Sequence, residues 1–243
     1  MNTIDLDSLV LTLGTHDSWE DGANLLEACS RAAGEPWSDR PACVSHILGG
    51  YGRALNNTLP DDLRQHLKRF IPRLLNTAGD GQDEARGLLA LHWLITVYAP
   101  AWLRLVPELV ADADRLAALS TSTTDEASNL IQEIAGRTKI LADRARGAAP
   151  DRAVETAYYA AGEATANTAW PAGWAVGQAP KIFGWVTATN VAGDAARTAI
   201  LTATGGDPLG PTVAAVQESA IDLLGMMINP SAATLYPRPA WHH

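Results

Sequence analysis

Apolar residues in this chain recur at intervals of three and four, and that spacing admits few folds other than a helical one. Val44, Ile47, Leu48, Tyr51 and Leu55 fall on one side of a 3.6-residue helix, as do Leu63, Leu67, Phe70, Ile71 and Leu74. Leu88, Leu91, Trp93, Leu94, Ile95 and Tyr98 make a segment apolar almost all round, which predicts a central helix. A Ser18–Asp21 capping box predicts a helix from about Trp19 to Ala33, with Gly34 as its stop. Pro72 is expected to kink the third helix, Pro100 to close the central one, and Pro107 to break the stretch 101–119. Leu130, Ile134 and Leu141 share a face of a long helix. Its acids, Asp125 and Glu126, lie at the start, and Arg144 and Arg146 near the end, where the macrodipole favours them; Gly147 and Pro150 close it. Further helices are predicted over 151–170, 181–203 and 211–228, and only Leu9, Val10, Leu11 and Leu13 look strand-like. The expected fold is all-α: a multi-helix bundle of about seven to nine helices with a short extended N-terminal segment.

Composition divides this helical chain in two. A polar Ser/Thr run, Ser120 to Thr124, separates an ordinary globular region (1–120) from an Ala/Trp-rich one (121–243). Between Ala145 and Thr204, 19 of 60 residues are Ala. Residues 151–243 hold 4 Lys+Arg and 7 Asp+Glu, against 14 and 20 in residues 1–150. Small side chains let helix backbones approach closely, so the second region is expected to pack tightly, and the two regions are expected to form one globular unit. With 243 residues, 47% of them hydrophobic, there is enough chain for a proper core.

Charge narrows the function classes. The net charge is -9, and the densest basic patch (Arg64, Lys68, Arg69, Arg73) follows directly on Asp61 and Asp62. Duplex binding needs clustered cations that displace counterions, so no nucleic-acid partner is expected. No apolar run reaches the roughly eighteen residues of a membrane span, so no membrane partner is expected either. Met1 to Thr15 contains Asp5 and Asp7 and no basic stretch, unlike a signal peptide, and two cysteines are no disulfide framework; a cytoplasmic location is expected. No H-E-x-x-H, C-x-x-C or E-x-x-H string occurs, and Gly49-Gly50-Tyr51-Gly52 lacks the order of a dinucleotide loop. Neither a metal nor a cofactor is expected.

Two constellations remain. The N-terminal polar block contains His16, Asp17, Glu20, Asp21, Glu27, Asp39, Cys43 and His46. From it, His16, Glu20, Asp21 and Cys43 are the candidate catalytic residues, since acids and an imidazole near a helix start suit proton transfer. Cys43 falls at or just before a helix N-terminus, where a dipole favours thiolate, and His46 follows three residues later. The competing reading makes Asp21 a cap, Cys43 a small core residue and His46 exposed. The second constellation is aromatic. The chain has 8 Trp and only 2 Phe, and Tyr158, Trp170, Trp174 and Trp185 stand in the weakly charged region. Gly173-Trp174 and Gly184-Trp185 leave space beside a large ring, so these four are the candidate ligand-binding residues. The competing reading has them fill a tight core or anchor a subunit interface.

The stretch THDSWEDGANLLEACSRAAGEPWSDRPACVSHILGGY, Thr15 to Tyr51, resembles the opening of a group of uncharacterised helical proteins from actinobacteria and their phages. Asp61-Asp62, Phe70-Ile71-Pro72, Ala90-Leu91, Ala101-Trp102-Leu103, the Ala-rich tract, Pro211-Thr212-Val213 and Gln217-Glu218-Ser219-Ala220 extend the resemblance over most of the chain, with departures at 170–185. It implies a helical fold and carries no activity. The expected function is binding or conversion of a small organic molecule in a pocket between the two regions. The alternative is a non-catalytic protein that self-associates (a homo-oligomer) or binds a partner through its Ala/Trp-rich helices.

Overall fold

The computed structural model describes residues 4–120, 125–149, 152–176, 190–195, 197 and 209–230, and the structure reported below is that of these residues. It is all-α. The only β pairing among them is an isolated parallel bridge between Leu11 and Ala23. The expected strand-like segment is thus an extended strap laid against the start of the first helix.

That helix, α1 (Leu25–Ala33), begins later than the sequence pattern predicts. Asn24 is its N-cap. The Asn24 side chain accepts from the amides of Leu26 and Glu27, and the Glu27 side chain accepts from the Asn24 amide. This is a reciprocal capping box, of which the cap residue alone is worth about 1 kcal/mol. The expected Ser18–Asp21 box is a single 3-10 turn, Trp19–Asp21, in which Ser18 Oγ donates to Asp21 Oδ2 (2.7 Å) and caps no amide. Gly34 stops α1 in the left-handed conformation (φ 76°) as expected.

Helix α2 (His46–Thr58) is capped by Ser45 and buries Ile47, Leu48, Tyr51 and Leu55. The predicted third helix is segmented. It comprises α3 (Asp61–Gln65), a 3-10 turn (His66–Phe70) and α4 (Ile71–Leu74), with Pro72 in the first turn of α4, where its missing amide leaves no bond unmade. Helix α5 (Asp83–Trp93) is the buried centre. It does not close at Pro100. A π turn (Leu94–Tyr98) carries the chain on into α6 (Ala99–Leu103), the Ala99 amide bonding to the Leu94 carbonyl. The wider turn absorbs the proline, whose ring and missing N–H an unbroken α register would have to fit at Thr96. Pro107 does break the next stretch, into a 3-10 turn (Pro107–Leu109) and α7 (Val110–Ala117).

Trp93, Tyr98 and Trp102 are fully buried and form one aromatic column: Trp93 stacks on Tyr98 (centroids 5.6 Å apart), and Tyr98 meets Trp102 edge-on (6.4 Å). Against this centre lies the last described helix, α10 (Gly210–Ile228). It is pinned by side chains from the N-terminal half. Tyr51 Oη donates to the Ala220 carbonyl (2.9 Å), Trp93 Nε1 to Ser219 Oγ (2.7 Å), and Arg86 Nε to the Met227 carbonyl (3.0 Å). Arg86 is wholly buried and also binds the carboxylates of Asp80 and Asp83.

Helices α8 (Asp125–Ala145) and α9 (Arg152–Val176) form an antiparallel hairpin. Gly162 lies at Ala142 and Gly173 at Gln132, so small residues set the close approach. The helix predicted over 151–170 runs on to Val176 through Pro171. Gln132 Nε2 donates to the Ala169 carbonyl (2.7 Å), bracing α9 just before the proline. Thr138 is the last buried residue of α8, whereas on α9 Ala157, Ala160 and Ala161 remain buried in the core at the closed end of the hairpin. Most of the predicted helix 181–203 lies outside the described residues; within it, 190–195 is helical.

Candidate functional site

The N-terminal polar block assembles around a residue outside the expected catalytic set. Glu27, 1% exposed, accepts from the His16 amide (2.8 Å), from His16 Nδ1 (2.8 Å) and from the Asn24 amide (2.9 Å). His16 Nε2 lies 3.0 Å from Thr12 Oγ1, which accepts from the Ala23 amide (3.1 Å) and donates to the Ala23 carbonyl (3.2 Å). Trp37 Nε1 donates to the His16 carbonyl (2.7 Å). Hydroxyl, imidazole and carboxylate thus stand in the order of a nucleophilic relay. Here, however, their hydrogen bonds sew the strap 11–16 to the start of α1. The Thr12 oxygen is held from both sides by Ala23, and Gly22 closes over it: a β-carbon there would stand 2.8 Å from Thr12 Oγ1 and 2.9 Å from the His16 ring.

The other three candidates do not join this cluster. Glu20 and Asp21 are exposed on the 3-10 turn. Cys43 is half-buried and lies two residues ahead of the Ser45 cap, not at the first amides of α2. Burial first, and then the Glu35 carboxylate, pushes its thiol pKa up, which is opposite to the thiolate activation expected from a helix dipole. His46 is the exposed first residue of α2. Among the described residues no group of three or more His, Cys, Asp or Glu side chains could hold a metal ion.

The aromatic candidates separate as well. Trp170 and Trp174 sit together on α9 with ring centroids 5.5 Å apart, and they are 54% and 40% exposed. They do not fill a core. They stand at one end of a groove of about 780 Å³ that runs along the α8–α9 hairpin. Its floor is made of small residues, among them Ala135, Gly136, Ala142, Gly162 and Ala166. Its far end is polar, with Lys139 and Asp143 on α8, Arg146 in the turn that follows it, and Tyr159 and Glu163 on α9. These pair along their own helices: Lys139 Nζ with Asp143 (2.7 Å), and Tyr159 Oη with Glu163 (2.9 Å). The N-terminal block contributes nothing to this groove. Tyr158 is absent from it too; its hydroxyl donates to the Glu108 carboxylate (2.9 Å), tying α9 to the 3-10 turn at Pro107. Trp185 lies outside the described residues.

Two signals in the sequence bear on these differences. Asn24-x-x-Glu27 has the form of a capping box as much as Ser18-x-x-Asp21 does, and it marks Glu27. Gly162, Ala166, Ala169 and Gly173 follow one another at steps of four, three and four along α9, which marks the groove floor.

Fold and site together define an all-α protein with an open, aromatic-ended groove along a helical hairpin. No protein-family model, no curated protein and no solved structure matches the chain. No helix of the described residues is long and apolar enough to cross a membrane.

Proposed function

We propose that this is a non-catalytic binding protein whose α8–α9 groove receives an amphipathic helix. The observation that carries the reading is the exposed Trp170–Trp174 pair at the head of an Ala/Gly-floored groove. From Gln132 to Arg146 the groove follows about four helical turns, roughly 21 Å at 1.5 Å per residue. That length and its open side suit a helix laid along the hairpin, which would complete a three- or four-helix bundle. Covering what is exposed of both indoles would remove roughly 140–235 Å² of largely apolar surface from water, about 3.5–6 kcal/mol before binding entropy. The opposing candidate, chemistry at the N-terminal block, loses its support because Thr12, His16 and Glu27 already serve one another and Ala23, and because the Cys43 thiol is pushed toward its neutral form. A cytoplasmic setting accords with two free cysteines.

A small organic molecule is the second reading. It is favoured by the groove's volume, which falls within the range of ordinary ligand pockets. The test uses two probe peptides of about 20 residues with one Leu/Lys composition, one with an amphipathic helical pattern and one scrambled. Each is titrated into dilute protein while tryptophan emission is recorded. The helix reading expects a blue shift with the patterned probe only, and no response from the Trp170→Ala/Trp174→Ala variant. Equal responses to both probes, or an undiminished response in the variant, would overturn it.

A further inference from the structure

We infer that the helix the groove receives is a basic one: an amphipathic helix of a partner protein that seats a lysine or arginine side chain on the Trp170–Trp174 pair. The inference rests on the binding role of the groove and names the chemistry of its occupant.

The rings supply the first argument. Trp170 and Trp174 stand one helical turn apart on α9, with centroids 5.5 Å apart and planes tilted by 51°. They are 54% and 40% exposed and line the open groove. The face of an indole is the negative side of its quadrupole. It attracts an ammonium or guanidinium within about 6 Å, and more strongly once a covering helix excludes water. Elsewhere the chain supplies such cations itself: Arg31 lies 4.3 Å over the Trp19 ring and Arg69 4.8 Å over that of Phe70. Among the described residues none does so for Trp170 or Trp174. Lys139, on the other wall of the groove, is bound to Asp143 (2.7 Å). Room for an incoming side chain lies beside the rings, since a β-carbon at Gly136 would meet nothing within 4 Å. The apolar stem of a lysine or arginine can lie there with its charged head on the indoles.

Charge supplies the second argument. Gly173 lies at Gln132, so the indoles share their half of the hairpin with the first half of α8. Residues 125–136 and 164–176, which make up that half, contain Asp125, Glu126 and Glu133 and no Lys or Arg. All three acids are exposed, and Glu133 has Arg115 of α7 only at 3.9 Å. The Lys and Arg residues of the hairpin all lie in its other half, between Arg137 and Arg152. A cation arriving at the tryptophan end therefore enters a field set by carboxylates, and an acidic side chain would be repelled there. The net charge of -9 draws a basic partner toward the chain as a whole.

The test uses two labelled peptides of about 20 residues with one amphipathic helical pattern, Leu on one face and either Lys or Glu on the other. Full-length protein is titrated into each at about 0.15 M salt, and fluorescence anisotropy is recorded. The Lys peptide is expected to bind about tenfold or more tightly than the Glu peptide. Trp170→Leu/Trp174→Leu keeps an apolar surface and every charge but removes the indole faces. Asp125→Asn/Glu126→Gln/Glu133→Gln keeps the indoles and removes the carboxylates. Each set is expected to lower the Lys-to-Glu preference by about threefold or more, through weaker binding of the Lys peptide. A Glu peptide that binds as tightly as the Lys peptide overturns the inference, and so does a preference that either set of changes leaves as it was. In those cases the groove still receives an amphipathic helix, and only the basic occupant is wrong. If the protein alone sediments as a dimer that the tryptophan changes dissolve, the occupant is a second copy and the inference is wrong. If neither peptide binds, both readings fall.

Discussion

Replacing Glu27 by Gln should destabilise this protein far more than the same change at its acidic neighbours. The carboxylate holds three donors: two backbone amides, of His16 and Asn24, and the His16 imidazole at Nδ1. A glutamine has the same shape but one acceptor oxygen. Its amide nitrogen must then face at least one donor in a site where the residue is 1% exposed, leaving a buried donor unsatisfied. Hydrogen bonds to a charged group are worth about 1.5–3 kcal/mol each. Losing one fully and weakening the others gives about 2–4 kcal/mol. For a chain of this size that is a fall in Tm of roughly 4–16 °C. The assay is urea or thermal unfolding followed by circular dichroism, with Glu20→Gln and Asp21→Asn alongside. Both controls are exposed and should change stability by no more than about 0.5 kcal/mol. If Glu27→Gln unfolds within about 0.5 kcal/mol of wild type, the carboxylate is not what fastens the strap 11–16 to α1, and the lock assigned to Thr12, His16 and Glu27 is wrong.

Other outcomes follow from the same contacts. Gly22→Ala puts a β-carbon into Thr12 and His16 at a φ of 132° that L residues rarely adopt; a loss of at least about 1–3 kcal/mol is expected in the same unfolding assay. Arg86→Met leaves the Met227 carbonyl and the part-exposed carboxylates of Asp80 and Asp83 without their donor and should cost about 1–3 kcal/mol, read as a drop in urea midpoint at unchanged slope. The Arg86 hydrogen bond holds the Asp80 carboxyl below its ordinary 3.8. The stability this adds is present above that value and is lost as pH falls through the lower folded one, so Asp80→Asn should flatten the decline in stability below about pH 4 in an acid titration. Cys43, its thiol pushed up by burial and Glu35, should be alkylated by iodoacetamide more slowly at pH 8 than a free thiol. Alkylation as fast as a free thiol's would show the group to be more exposed and less perturbed than its surroundings imply.

Much of the helical architecture is legible in the periodicity. The apolar stripes of α2, α5 and α8 and the stop at Gly34 need only neighbours three and four residues away. Local rules mislead where two local solutions compete. Ser18-x-x-Asp21 and Asn24-x-x-Glu27 both fit a capping box; the second prevails because Glu27 is buried there and collects amides from the strap as well as from its own helix. Pro100 fits a helix end, yet burial of Trp93, Tyr98 and Trp102 in one column favours carrying the helix through it by way of a π turn. The four residues singled out for catalysis share the N-terminal region, but only His16 enters a hydrogen-bonded cluster there, through a partner eleven positions on.

What the sequence determines by itself is the all-α class and the Ala/Gly-floored helices, because helix formation and close packing depend on side-chain size and spacing within a few turns. What only the tertiary structure decides is which polar and aromatic groups meet. Trp93 and Trp102 read no differently from Trp170 and Trp174 in an apolar count, yet the first pair is sealed in the core and the second faces outward along a groove. The difference lies in whether another helix covers the ring, and that depends on residues over a hundred positions away, as when Ser219 of α10 meets the indole of Trp93.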